Sequence, residues 1–429
     1  MCNFGRYLTT PMRFELFFAK KLRLGGSDGQ SVAPNLTIAL IGIVLAIVIM
    51  ILSIAVVCGF KDEISSKIYR LDSHIKIANS SLVTGDNDRS TVDSRDIFPV
   101  LASSPVADSL LSVSLIAEKP AILKTDSDFK GIVVRGVDSN FDWSYFNDNL
   151  IAGRIPDMSD TASATEILLS KTIASQLTLN VGDKILTYFI DDHVRVRNCH
   201  VVGIFSTDFE EFDDLYAMGK IGLLQNVNGW DEHIGSYVGI NTRYIDKVET
   251  QAVTIYKELA QSVIMAGSPA LYYVTTTAQN NISFFSWLDL LDMNVVIIIV
   301  LMTVVSAFTL IAGMLMIVLA RINMIGIMKT LGAADGTIRR IFIYLTQKLV
   351  IKSLIYGNAA GIAIALLQQH FHIIKLDAEM YYIPYVPVEL NWLYIVLLDV
   401  GVIAVSYITL LAPSMIISSI KPSKSIRFE

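Results

Sequence analysis

Residues 36–58 read LTIALIGIVLAIVIMILSIAVVC, a run without a single charge. As a helix it would be about 35 Å long at 1.5 Å per residue, enough to cross a hydrocarbon core of about 30 Å. It is too long, and starts too far from the N-terminus, for a simple cleaved signal peptide. It therefore reads as a retained span. Three further stretches share its character, at about 293–320, 341–367 and 392–419. With their less apolar edges the first two spans are drawn at 34–58 and 287–320.

The chain has 429 residues, 53% of them hydrophobic and only 17% charged, against about 25% charged in a typical soluble domain. The charges are unevenly placed. Residues 59–286 hold 30 Asp/Glu against 19 Lys/Arg, whereas the rest of the chain holds 15 Lys/Arg against 10 acids. An acidic block of 228 residues inside a basic, apolar frame is long enough for its own core, with room for two subdomains. No basic patch suggests nucleic acid as a partner.

Lys and Arg in the short flanks orient the spans. Residues 1–33 carry five, the 321–340 loop four and the 420–429 tail three, while 368–391 carries only Lys375. This bias expects an amphipathic N-terminal segment, the 321–340 loop and the tail in the cytoplasm. The 59–286 block and the 368–391 loop then lie outside. The second span is longer than a bilayer needs. From 282 to 320 there is no proline and one glycine, Gly313, so a continuous helix would run about 58 Å. Either the excess stands above the membrane as a stalk, partnered by the helical pattern GFKDEISSKIYRL (59–71), or the helix breaks near Asp289–Asp292.

Within 72–280 short alternating runs such as HIKIA, KGIVVRGV, DKILTYFI, RVRNCHVVGIF and SYVGINT read as strands, and TEILLSKTIASQL as a strand entering a helix. The expected fold is an integral membrane protein of four transmembrane α-helices. A large extracytoplasmic mixed α+β domain is inserted between helices 1 and 2. The acidic run FEEFDD (209–214) lacks the spacing of a calcium loop and reads as solvated loop ahead of a cation site. Cys2, Cys58 and Cys199 make no metal or redox motif and read as free thiols. No Ser/His/Asp or Cys/His arrangement stands in a catalytic context, and no phosphate loop of the form G-x-x-x-x-G-K-[ST] occurs. The chain is therefore expected to be no enzyme, to bind no ATP and to carry no cofactor or metal of its own.

Between spans two and three lies GIMKTLGAADGTIRRIF (326–342). MIGIMKTL continues a helical pattern, Gly332 suits a left-handed stop, and Asp335 suits the N-cap of a second helix. Ile325, Met328 and Leu331 fall on one side. Pattern alone also fits an ordinary interfacial helix. Deeper in the bilayer, Lys348 and Lys352 share a face of span three. Lys352 lies about 16 Å from that span's inner end and Asp399 about 10 Å from the outer end of span four. Buried membrane charges usually pair, so a Lys352–Asp399 contact is expected, with a proton relay as the alternative.

RINMIGIMKTLGAADGTIRRIF (321–342) resembles the cytoplasmic coupling loop of the FtsX-like ABC permeases, which include the lipoprotein-releasing (Lol) permeases and the MacB exporters. The likeness extends along nearly the whole chain. FELFFAKKL resembles the amphipathic leading helix, and GFKDEI the end of the first span. KGIVVRGVD, NVGDK and VVGIF with EEFDD are similar to landmarks of the outer domain. NISFFSWL precedes span two as it does in Lol permeases, and PSKSIRFE resembles the closing motif. One departure is Asn323-Met324, where relatives place Arg-Glu.

The resemblance implies a permease subunit of an ABC transporter in the bacterial inner membrane, driven by a cytoplasmic ATPase on a separate chain. Ile325, Met328, Lys329, Leu331, Gly332, Ala333, Asp335, Arg339 and Arg340 are the implied coupling residues. A second permease subunit (identical or not), membrane lipid, a lipoprotein cargo and a periplasmic carrier are the implied partners. The carrier is met in relatives at a hairpin that LTYFIDDHVRVR (186–197) would match. A regulator of a cell-wall hydrolase, a MacB-type exporter and a membrane-anchored sensor are the other readings.

Overall fold

The computed structural model describes residues 33–79, 91–158, 165–190, 193–266, 271–377, 381, 383–415 and 417. The N-terminal amphipathic segment, Cys2 and the 420–429 tail lie outside them. The chain divides into two compact units: a helical unit of 1–61, 287–374 and 386–429, and an α/β unit of 62–286 and 375–385. Helix α1, Ala33–Leu71, begins in the first and ends in the second, 39 residues without interruption. Pro34 falls in its first turn, where a missing N–H does no harm.

In the α/β unit a ten-stranded mixed sheet runs in the order β12-β1-β11-β3-β4-β9-β6-β8-β5, with β7 pairing β3 and β8. The strands are β1 Ile75–Asn79, β3 Leu110–Lys124, β4 Phe129–Val137, β5 Leu150–Gly153, β6 Glu166–Ser170, β7 Lys184–Phe189, β8 Arg195–Phe205, β9 Tyr216–Lys220, β11 Tyr237–Thr242 and β12 Tyr272–Thr276. A separate pair joins β2, Val92–Asp93, to β10, Ile234–Gly235. The β4–β9 and β6–β8 pairs are parallel and the others antiparallel. The strands read from the alternating runs are all present.

Two cores form around this sheet because β3, at 15 residues, serves two neighbourhoods. Its first half pairs with β11 and its second with β4 and β7. One core joins Ile75, Ile77, Leu115, Val238 and Ile240 to helices α2, Ser94–Ser103, and α4, Val248–Ala266. Val248, Ala252, Ile255 and Leu259 line the inner stripe of α4 at the helical period. The other core gathers Val134, Ile167, Leu169, Ile185, Phe189 and Val201.

The segment read as a solvated loop, FEEFDD, is corrected by the structure. It contains the short helix α3, Glu210–Asp213, and Phe209, Phe212 and Asp213 are all under 8% exposed. Phe209 and Phe212 stand three residues apart and both rings turn inward, as does the Asp213 carboxylate. Among the described residues no group of three or more His, Cys, Asp or Glu could hold a metal ion.

Four further helices follow the sheet in the chain: α5, Ile282–Ala320, α6, Ile322–Thr330, α7, Asp335–Phe371, and α8, Trp392–Ser414. With α1 they provide four helices long and apolar enough to cross a membrane. The helical core takes Ile43, Ile47, Met50 and Ile51 from α1, Leu310, Met314 and Ile317 from α5, Phe342, Leu345 and Leu349 from α7, and Leu410 from α8. α1 and α7 approach closely because Gly357 and Gly361 form a G-x-x-x-G stripe, the pattern that lets membrane helices pack backbone to side chain. A Cβ at Gly357 would stand 2.7 Å from Ile47 Cγ2.

α5 does not break at Asp289–Asp292. Lys61 of α1 pairs with Asp289 at 3.3 Å and Asp292 at 2.6 Å, and Trp287 meets Phe60 edge to face at 6.3 Å. The two carboxylates that seemed to threaten the helix are carried by a lysine from its neighbour.

Candidate coupling site

α6 ends as its sequence demands. Gly332 has φ +87°, the left-handed conformation that favours glycine. The Ala333 N–H donates to the Met328 carbonyl at 3.0 Å and the Gly332 N–H to the Lys329 carbonyl at 3.1 Å. This pair of bonds is a complete Schellman stop and satisfies carbonyls the helix end would leave bare.

Asp335 does not cap α7. The capping position is Ala334, in extended conformation and without a side-chain bond, and Asp335 is the first helical residue. Its carboxylate pairs instead with Lys329 at 3.0 Å. A side chain already inside the first turn is poorly placed to reach the amides ahead of it, but its charge still favours the positive helix end. Lys329 Nζ also donates to the Ile417 carbonyl at 2.8 Å, and Arg339 Nε to Ser414 Oγ at 3.3 Å. The turn is thus fastened to the end of α8 by two basic side chains. Sequence reading assigned both cations to a partner and missed Ser414 and Ile417.

The apolar residues separate by depth. Ile325 is fully buried in the helical core and Met328 packs against it, so Ile325 anchors the element and presents no surface. Leu331 is 83% exposed and Ile327 53%. Gly332, Asp335 and Arg340 are exposed and Ala333 half-buried. What remains outward is a small apolar knob flanked by Arg340, stiffened from behind. The single apolar face expected for Ile325, Met328 and Leu331 is corrected to a buried side and an exposed tip, because Leu331 lies in the stop turn where the helical period ends.

The expected Lys352–Asp399 contact is absent. Asp399 Oδ2 accepts from Asn358 Nδ2 at 2.7 Å, and Lys352 is exposed. The depth argument ignored direction around the helix. Gln347, which accepts from Ser406 Oγ at 3.2 Å and donates to the Ile403 carbonyl, marks the face of α7 that meets α8. Asn358, eleven residues on, returns to that face within about 20°, whereas Lys352 is turned about 140° away. In the hairpin of 186–197, Leu186 and Val196 are exposed strand residues, and Asp191 and Asp192 lie outside the described residues.

Four helices long and apolar enough to cross a membrane, a large α/β insertion between the first two and a braced turn between the second and third give the architecture of a membrane protein of the permease class. The chain belongs to the FtsX/MacB-like permease family. Residues 36–255 match the MacB-like periplasmic core domain and 296–422 the FtsX-like permease C-terminal domain. It is an ABC transporter permease, the class of transmembrane subunit that is not itself catalytic and works with a partner ATPase and a second permease subunit.

Among curated relatives, a lipoprotein-releasing system transmembrane protein LolC of Neisseria meningitidis is 22% identical, over 91% of this chain and 94% of its own. A lipoprotein-releasing system transmembrane protein LolE of Haemophilus influenzae is also 22% identical, over 96% and 99%. The periplasmic region of MacB from Actinobacillus actinomycetemcomitans covers 50% of this chain and 95% of its own, at 13% identity and a TM-score of 0.35.

Proposed function

We propose that this permease releases lipoproteins from the inner membrane, driven by a cytoplasmic ATPase that presses on the 322–340 element. The observation that carries the reading is the near-complete alignment with lipoprotein-releasing transmembrane proteins, across both units and all four spans. In this reading both termini and the α6–α7 turn face the cytoplasm and the α/β unit faces the periplasm. The charge bias of the short flanks supports that orientation.

Closure of the ATPase dimer pushes on Leu331, Gly332 and Arg340, and the braces from Lys329 and Arg339 keep the turn from yielding. The push then travels along α5 and α1, which are long and unbroken. Lifting acyl chains out of a bilayer costs about 0.8 kcal/mol per methylene, hence tens of kcal/mol for a multiply acylated protein. That demands both an energy source and an apolar shelter. The exposed apolar side chains of α5 between Leu290 and Phe308 supply such a shelter when a second permease subunit faces them, and a soluble periplasmic carrier then receives the cargo.

Deleting Thr330–Gly336 should leave the protein inserted but remove the ATPase from detergent pull-downs. Retained co-purification would refute the coupling role. Identification of the periplasmic partner in the same pull-down separates release from export, the second reading, which the match to the MacB-like core supports.

A further inference from the structure

The last turn of any helix leaves carbonyls without donors. At the end of α1, the Leu71 carbonyl is taken at 2.9 Å by Arg135 of β4, a residue only 4% exposed. The same guanidinium donates through Nε to Glu118 of β3 at 2.6 Å and lies 3.8 Å from Asp72. Its Cζ stands 4.5 Å from the centre of the Tyr216 ring and 5.5 Å from that of Phe212.

The acids are themselves held. Tyr237 of β11 donates its hydroxyl to Glu118 at 2.9 Å, and Lys76 of β1 pairs with Asp72 at 2.8 Å while standing 5.0 Å over the Tyr237 ring. Burial alone would raise the Asp72 carboxyl, but Lys76 and Arg135 outweigh it and hold it below the usual range. One cation thus joins the end of α1 to strands from both cores.

The FEEFDD segment completes the junction. Lys67 of α1 donates to the Thr207 carbonyl at 3.3 Å, and Thr207 donates its N–H and hydroxyl to Asp213 at 2.9 and 2.7 Å. Ser170 Oγ donates to the Asp213 carbonyl. Phe209 packs on Phe284 of α5 at 5.5 Å, and Phe285 on Tyr69 of α1 at 5.8 Å. The motif that looked like an acidic loop thus packs on α5 through Phe209, and Thr207 just ahead of it is bonded to α1.

We propose that Arg135 is the positioning residue through which movement of α1 enters the sheet, clamping the helix end, Glu118 and the Phe212–Tyr216 segment into one rigid joint. This rests on the mechanical reading above. A planar fork with five donors can hold a carbonyl and two carboxylates while stacking on two rings, and a lysine ammonium cannot. Replacing a buried ion pair with apolar residues is often neutral or stabilising, so stability alone gives no reason for a charge here, whereas a directed junction does.

The test places nitroxides on Asp62→Cys of α1 and Lys124→Cys of β3, two exposed positions, in the full chain freed of its native cysteines and assembled with its partners in lipid. The wild-type background should give one narrow distance distribution. Arg135→Lys and Glu118→Gln, both conservative in size, should at least double its width. They should reduce ATP-driven cargo release tenfold or more while ATP hydrolysis stays within twofold. Folded variants with an unchanged distribution, or with release undiminished, would overturn the joint. A wild-type complex that hydrolyses ATP without releasing lipoprotein would instead sink the proposed cargo and leave the distance measurement to decide the joint.

Discussion

Lys329 of α6 and Asp335 of α7 close the turn between their helices with an ion pair of 3.0 Å, and the lysine side chain is only 9% exposed. The turn is therefore a braced element and not a free loop. Lys329→Met should keep the helices but loosen what lies between them. Hydrogen exchange of the amides at 331–336 should quicken by about tenfold, equivalent to about 1.4 kcal/mol, more than an exposed pair alone supplies because the Ile417 contact is lost as well. Unchanged exchange would mean that the brace is idle.

Gly357 admits no larger side chain without moving Ile47. Gly357→Val should destabilise the helical unit by about 1–3 kcal/mol, as overpacking does, read as a lower melting midpoint in detergent. Val at Gly401 of α8, where a Cβ would meet nothing within 4 Å, should leave the midpoint nearly unchanged.

Asp399 depends on Asn358 and not on Lys352. Asn358→Leu should cost about 1–2 kcal/mol, the range for polar contacts between membrane helices. Lys352→Ala should change the midpoint little. The reverse order would restore the lysine as the partner.

Asp213 makes the fold pH-sensitive. Burial raises its carboxyl from 3.8 to about 6, against the opposing hydrogen bonds from Thr207. Between those values the native chain binds the proton that the unfolded chain has released, so stability falls as pH rises from about 4 and the full penalty stands above about 6. At 1.36 kcal/mol per unit it is of order 3 kcal/mol. Melting of the full chain in detergent from pH 4 to 7, compared with Asp213→Asn, should show the wild type losing ground as pH rises. Parallel curves would contradict the assignment.

The spans and strands were legible because hydropathy and alternation are local properties. LTIALIGIVLAIVIMILSIAVVC can be little but a buried or membrane helix, and Gly332 announced the stop that its positive φ supplies. What escaped depended on partners far along the chain. Asp289 and Asp292 looked like a break until Lys61 met them, more than two hundred residues earlier. FEEFDD looked solvated because its acids are visible in sequence, whereas the rings beneath Arg135 and against Phe284 are not. The Lys352–Asp399 expectation used height along two helices and omitted azimuth, which only packing reveals. Asn358 carried a faint signal, a polar residue inside G-N-A-A-G.

The pairing of one lysine with two carboxylates spaced a turn apart has a mechanical consequence. Asp289 and Asp292 are separated by about 4.5 Å along α5. Lys61 reaches both acids at once, so a small axial shift of α5 along α1 that lengthens one bond leaves the other intact, and the lysine keeps a carboxylate partner throughout.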